Sequence, residues 1–221
     1  MNVRNRRILL RIVVALCAVL ILSVTVAGIL AWKKAEDSYG FAREVDEREQ
    51  ALRLQLVQKA ESWLNTNELD GSHKKIIDIY NAHEPLAQGY TVTYTDKWCA
   101  TFGSTVAIQI GFTDIIPTEC GCQRQIALFE KLGRWEEDDN YIPLPGDYIF
   151  YSSRDLEDED CGGFSDHVGI VVGTCDGYIK VIEGNYVGTV RYRIIPIGDP
   201  SIRGYGLPDY ASKTKEKNGA A

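Results

Sequence analysis

The sequence predicts an α+β fold, with helices first, an antiparallel sheet after them, and a transmembrane helix ahead of both. Three observations carry this. Residues 12–32 form one apolar run without a charge. Apolar positions then recur at helical spacing in separate stretches as far as residue 132. Beyond residue 147 the chain breaks into short β-rich runs divided by Gly and Asp turns. Helices followed by strands argue against a βαβ repeat. No P-loop, dinucleotide fingerprint, EF-hand or internal repeat is present.

The apolar run is long enough to cross a bilayer core, which takes roughly 20 helical residues. Arg4, Arg6, Arg7 and Arg11 precede it. Positive charge on that side puts the N-terminus in the cytoplasm and the rest outside. Lys33 and Lys34 oppose this, but four arginines outweigh them. A cleaved signal peptide is the rival reading, although its apolar region usually has 7 to 15 residues. The expectation is a single-pass plasma-membrane protein with an extracytoplasmic domain and the lipid bilayer as partner through 12–32.

The expected organisation is a basic tail at 1–11, the membrane helix at 12–32, a helical stalk at 33–84, a catalytic domain at 85–208 and a polar flexible tail at 209–221. Within it, helices are expected over 42–66, Lys74–Asn81, 98–110 and 123–132. Strands are expected over Tyr148–Tyr151, 168–172, 178–182 and 190–194. His73 and His83 sit among polar neighbours and read as solvent-facing. The net charge of −7, from 31 acidic and 24 basic residues, repels phosphate backbones and argues against a nucleic-acid partner.

There are six cysteines. Cys17 lies in the apolar run and reads as a small hydrophobe. Cys99, Cys120, Cys122, Cys161 and Cys175 remain, an odd number, so one thiol is left over if the others pair. Cys99 is the natural candidate, because it opens a helix beside Trp98. Unpaired N–H groups and the helix dipole at that position favour an anion, which lowers a thiol pKa. The same groups can hold the oxyanion of a tetrahedral intermediate. The spacing of Cys120 and Cys122 is tighter than structural zinc pairs use.

His167 begins the run His-Val-Gly-Ile-Val-Val after a glycine-containing loop. Its imidazole can take a proton from a thiol and return it to an amine. Glu183 and Asn185 follow the next strand. A hairpin would bring either near His167 as the group that fixes its tautomer. Sequence leaves the choice between them open.

In these residues the chain resembles the CHAP family, the cysteine, histidine-dependent amidohydrolases/peptidases, in its Gram-positive bacterial form. The matching pieces stand in order. They are Trp98-Cys99-Ala100, Ile116-Pro117 with a cysteine-glycine step, Gly133-Arg134-Trp135, Pro145-Gly146-Asp147, His167-Val168-Gly169-Ile170-Val171, Ile182-Glu183-Gly184-Asn185 and Gly204-Tyr205-Gly206. The resemblance implies a papain-like cysteine hydrolase fold, with helices packed beside an antiparallel sheet. It implies cleavage of amide bonds in cell-wall peptidoglycan, with Cys99 as nucleophile, His167 as base, Glu183 as orienter and Asn185 at a further polar position. Alternatives are a peptidase or amidase acting on a non-wall peptide, and an inactive wall-binding or division-associated scaffold.

Pro145-Gly146-Asp147 resembles the family's structural turn, so Asp147 is not counted as catalytic. Ser104-Thr105-Val106-Ala107 stands where relatives often carry a second tryptophan-cysteine pair. No cofactor is implied. The acidic stretch 155–160 offers oxygens for calcium, but its spacing matches no EF-hand and a solvated loop is the better reading.

Overall fold

The computed structural model describes residues 47–138, 140–152 and 163–216. Helices α1 (Glu47–Glu61) and α2 (Lys74–Asn81) come first, then a 3-10 turn at Ala87–Gly89. Helices α3 (Cys99–Ile110) and α4 (Cys122–Lys131) follow. The strands are β1 (Trp135–Glu136), β2 (Tyr148–Tyr151), β3 (His167–Cys175), β4 (Tyr178–Tyr186), β5 (Thr189–Pro196) and β6 (Ile202–Gly206). Helix α5 (Tyr210–Glu216) closes the described chain. The strands form one antiparallel sheet in the order β1-β6-β2-β3-β4-β5.

Side chains alternate across a strand, and both faces of this sheet bury theirs. Tyr148, Phe150, Val168, Ile170 and Ile182 join Leu56, Ile76, Trp98, Phe102 and Phe129 in a core between sheet and helices. Ile149, Tyr151, Val171, Val181 and Tyr205 form a smaller core on the other face. Nearly all of α3 is buried, from Cys99 to Ala107. That explains a helix sequence with no polar face, since a helix apolar all round belongs inside.

Helices α1 and α2 belong to this core rather than to a stalk. Leu56, Ala60, Ile76, Ile77 and Tyr80 are all buried in it. Arg53, only 2% exposed, ties α1 to the Pro145-Gly146-Asp147 turn. It donates to Glu49 Oε1 at 2.9 Å, Pro145 O at 3.1 Å and Asp147 Oδ1 at 2.8 Å. Asp147 also accepts from Tyr141 Oη and Leu144 N–H. Tyr210, expected in a flexible tail, is fully buried. Its hydroxyl donates to Gly146 O at 2.8 Å and its ring lies 4.5 Å from the Arg53 guanidinium.

One edge of the sheet is β1, two residues long. At the other, the segment after α1 lies along the start of β5. Asn65 N–H donates to Val190 O, Val190 N–H to Thr66 O, and Glu68 N–H to Gly188 O.

The fold-class expectation of a transmembrane helix is corrected. Among the described residues no helix is long and apolar enough to cross a membrane. The longest, α1, has 15 residues, about 22 Å at 1.5 Å per residue against a core of about 30 Å. The run at 12–32 itself lies outside the described residues, as do Cys161 and the acidic stretch 155–160. The bilayer partner and the single-pass plasma-membrane localisation rested on that helix and are not carried further. No disulfide forms among the described cysteines; Cys99, Cys120, Cys122 and Cys175 are free thiols.

Removing the Arg53 side chain would leave the buried Asp147 carboxylate without its cation. Arg53→Ala is expected to destabilise the protein by about 3–5 kcal/mol. Urea unfolding of the full chain checks this, with a midpoint shift at unchanged slope as the expected result.

Candidate active site

Cys99 is the first residue of α3 and is 5% exposed. The chain enters the helix through Trp98, which is fully buried and non-helical. Trp98 is held on three sides. Its indole N–H donates to Glu68 Oε1 at 2.8 Å. Its ring lies 5.8 Å from that of His73. Its backbone N–H donates to the Asn185 amide oxygen at 3.1 Å, while the Asn185 amide nitrogen donates to Glu68 Oε1 at 3.0 Å. His73 is therefore not solvent-facing. It is 4% exposed, with Nε2 3.0 Å from Tyr94 O. His83 is half-buried.

His167 opens β3, directly beside the thiol. Its Nε2 lies 3.1 Å from Glu183 Oε2, which leaves Nδ1 for Cys99. Tyr151 stacks on the imidazole with centroids 6.0 Å apart, and Tyr186 flanks it at 6.1 Å. Glu183 is fully buried. Its second oxygen, Oε1, is 3.1 Å from Arg193 Nε. The angle there is poor for a hydrogen bond, so the contact is chiefly one of charge. The Arg193 guanidinium lies 4.6 Å from the Tyr151 ring and 4.3 Å from the Tyr186 ring.

Two glycines make this approach feasible. Gly169 pairs with Glu183 across the β3–β4 ladder. A Cβ there would meet Glu183 Cγ at 2.8 Å and Val181 Cγ1 at 2.4 Å, so its absence lets the carboxylate pass over β3 to His167. At Gly184 a Cβ would meet Phe102 Cβ at 2.4 Å. The end of β4 thus packs directly on the helix that carries Cys99.

The electrostatics follow from these contacts. The Cys99 thiol is held well below its ordinary pKa. The hydrogen bond between Cys99 and Cys122 contributes most; burial opposes it, and His167 and the Ala100 N–H add to it. Burial works against a proton on His167, but its bonds to Cys99 and Glu183 prevail and raise it to about 9. Both shifts favour a thiolate–imidazolium pair.

Cys99, His167 and Glu183 are therefore neighbours. Asn185 is not on the imidazole; it holds the backbone just before Cys99. Sequence reasoning missed two contributors. Arg193 alternates with Arg191 along β5 as a solvent-facing pair would. Cys122, the first residue of α4, has its Sγ 3.5 Å from that of Cys99. The one sequence signal for it was its place just before the helix expected over 123–132.

The site is thus a buried thiol at a helix start, faced by a strand-borne imidazole on an α+β scaffold. Residues 89–185 match the CHAP domain family, and this part of the chain belongs to it. It is a domain family associated with peptidoglycan hydrolases, and membership is consistent with a hydrolytic enzyme. The matched stretch is shorter than the 85–208 expected. Among solved structures, an NlpC/P60 family protein from Bacillus cereus is similar at 18% identity and a TM-score of 0.40. The similarity covers 71% of this chain and 40% of that protein's length. No curated protein matches the sequence.

Gly169→Ala is expected to push Glu183 off His167. Titration of the His167 imidazole by NMR should then fall from about 9 by about one unit or more toward the ordinary value. The chain has only three histidines, which makes the resonance assignable.

Proposed function

We propose that this chain is a cysteine-dependent peptidoglycan hydrolase, an amidase or endopeptidase that cleaves an amide bond of the cell wall. The observation that carries the reading is the buried Cys99–His167–Glu183 arrangement within a segment of the CHAP family. The Cys99 thiolate attacks the amide carbonyl. The N–H groups at the start of α3 hold the oxyanion, a contribution typically worth several kcal/mol in such sites. The His167 imidazolium protonates the leaving amine, and water activated by the neutral imidazole clears the thioester.

Glu183 holds the imidazole by its Nε2 and stabilises its charged form. Asn185 acts through the Trp98 backbone, keeping the first turn of α3 in register with the histidine. A cavity of about 380 Å³ lies beside the thiol, lined by Lys97, Cys99, Gln123, Arg124 and Phe164 among others. It gives a peptide substrate room next to the nucleophile.

Purified cell walls treated with the full-length protein test this. Wild type is expected to release fragments with matched new amine and carboxyl ends in mass spectrometry, and Cys99→Ala none. Absence of release by the wild-type protein overturns the assignment of the wall as substrate.

The ion pair also sets a pH range. His167 gives up its proton near pH 9, so the alkaline limb of the pH–rate profile is expected there. Glu183→Gln removes a group that favours the imidazolium and is expected to move that limb to lower pH. It is also expected to cut turnover roughly tenfold to a thousandfold. The profile of each variant on one wall substrate checks both.

A further inference from the structure

Cys122 has no part in the mechanism above, yet its sulfur is 3.5 Å from the nucleophile's. Helices α3 and α4, of 12 and 10 residues, each begin at one of these cysteines. The two thiols meet where both sets of unpaired N–H groups gather. Both are nearly out of solvent, at 5% and 7% exposed. A thiolate so placed cannot rely on water, and each protein donor it gains counts for more. The Ala100 N–H and His167 supply two. The Cys122 thiol is within reach as a third, since a sulfur–sulfur contact of this length suits an S–H···S bond.

The surrounding charges decide which sulfur keeps the shared proton. Cys99 faces His167, with Glu183 behind it. Cys122 instead feels the Asp166 side chain, which disfavours an anion there. Lys97 and Arg124 line the cavity beside the pair. Arg124 is engaged with Glu119 at 3.2 Å and with the sulfur of Cys120. The pair is therefore asymmetric, with the anion favoured on Cys99 and the proton on Cys122.

We propose that Cys122 is a further catalytic residue, whose S–H donates to the Cys99 thiolate and stabilises it as the attacking nucleophile. The directions of titration agree. The bond to Cys99, followed by burial, pushes the Cys122 thiol well above its ordinary value, while Cys99 lies well below its own. A buried neighbouring thiol lowers the pKa of the reactive cysteine in Cys-X-X-Cys sites by the same physics. Here the two come from separate helices. The proposal deepens the hydrolase reading and rests on it for its catalytic consequence; the thiol pairing is read without any wall substrate.

The experiment is the pH dependence of iodoacetamide labelling at Cys99. It is followed by peptide mapping on the reduced full-length protein, in wild type, Cys122→Ala and Cys122→Ser. Cys122→Ala is expected to raise the labelling midpoint and slow labelling at pH 6 by about tenfold, the scale of a lost charge-assisted bond. Cys122→Ser, which keeps a donor, is expected to stay closer to wild type than to the alanine variant. A wild-type profile in Cys122→Ala overturns the proposal. So does a serine variant shifted as far as the alanine one, because volume and packing then explain the effect. Should the alanine variant not fold, thiolate absorbance at 240 nm decides between wild type and Cys99→Ser. The thiolate with the lowest titration midpoint is expected to vanish with Cys99, and its persistence overturns the assignment. A midpoint shift alongside wild-type protein that releases no wall fragments supports the thiol pairing and defeats only the choice of substrate.

Discussion

A carboxylate with no exposed surface must be neutralised where it stands, because an unpaired buried charge is far costlier than one in water. Glu183 is in that position, and much of the site answers to it. One oxygen takes His167 and the other faces Arg193, which is itself held between Tyr151 and Tyr186. The arginine comes from β5, the histidine from β3 and the carboxylate from β4 between them. Three adjacent strands must therefore keep register for the imidazole to face the thiol. Gly169 is part of the same requirement, since any side chain there would occupy the path of Glu183.

The helices answer to a second demand, that of fixing a sulfur at a helix start inside the core. Trp98 is the device. A large ring locked by Glu68 and His73, with its own N–H held by Asn185, sets where α3 begins. Residues from the segment between α1 and α2, the start of α2 and the end of β4 thus converge on one backbone position. The buried Arg53–Asp147 pair does corresponding work elsewhere, joining α1 to the turn before β2.

Much of this was legible in the sequence where local pattern and tertiary role coincide. The span Lys74–Asn81 and the strand Tyr148–Tyr151 have the bounds expected from sequence. Cys99 and His167 stand out because a cysteine opening a helix and a histidine opening a strand are chemically suggestive on their own. What failed to show is what depends on distant partners. β6 carries two glycines in Ile202–Gly206, and β1 has only two residues, so neither reads as a strand without its neighbour. His73 looks polar because its packing partner, Trp98, lies in another element. Tyr210 is invisible as a core residue until Arg53 and Gly146 are beside it. Asn185 and Glu183 could not be separated, because the bulge between Glu183 and Tyr186, which sends them to different partners, has no sequence signature beyond Gly184.

The sheet's two borders bear on how copies of this protein meet one another. An open strand border invites a second chain to add itself by backbone pairing, the route to fibres and swapped dimers. Here one border is too short to template such growth. The other has its first residues occupied by the 65–68 segment, and its remaining stretch bears the exposed Arg191. Like charges would be brought together if two such borders aligned in register. Among the described residues, both borders of the sheet thus work against growth by strand addition.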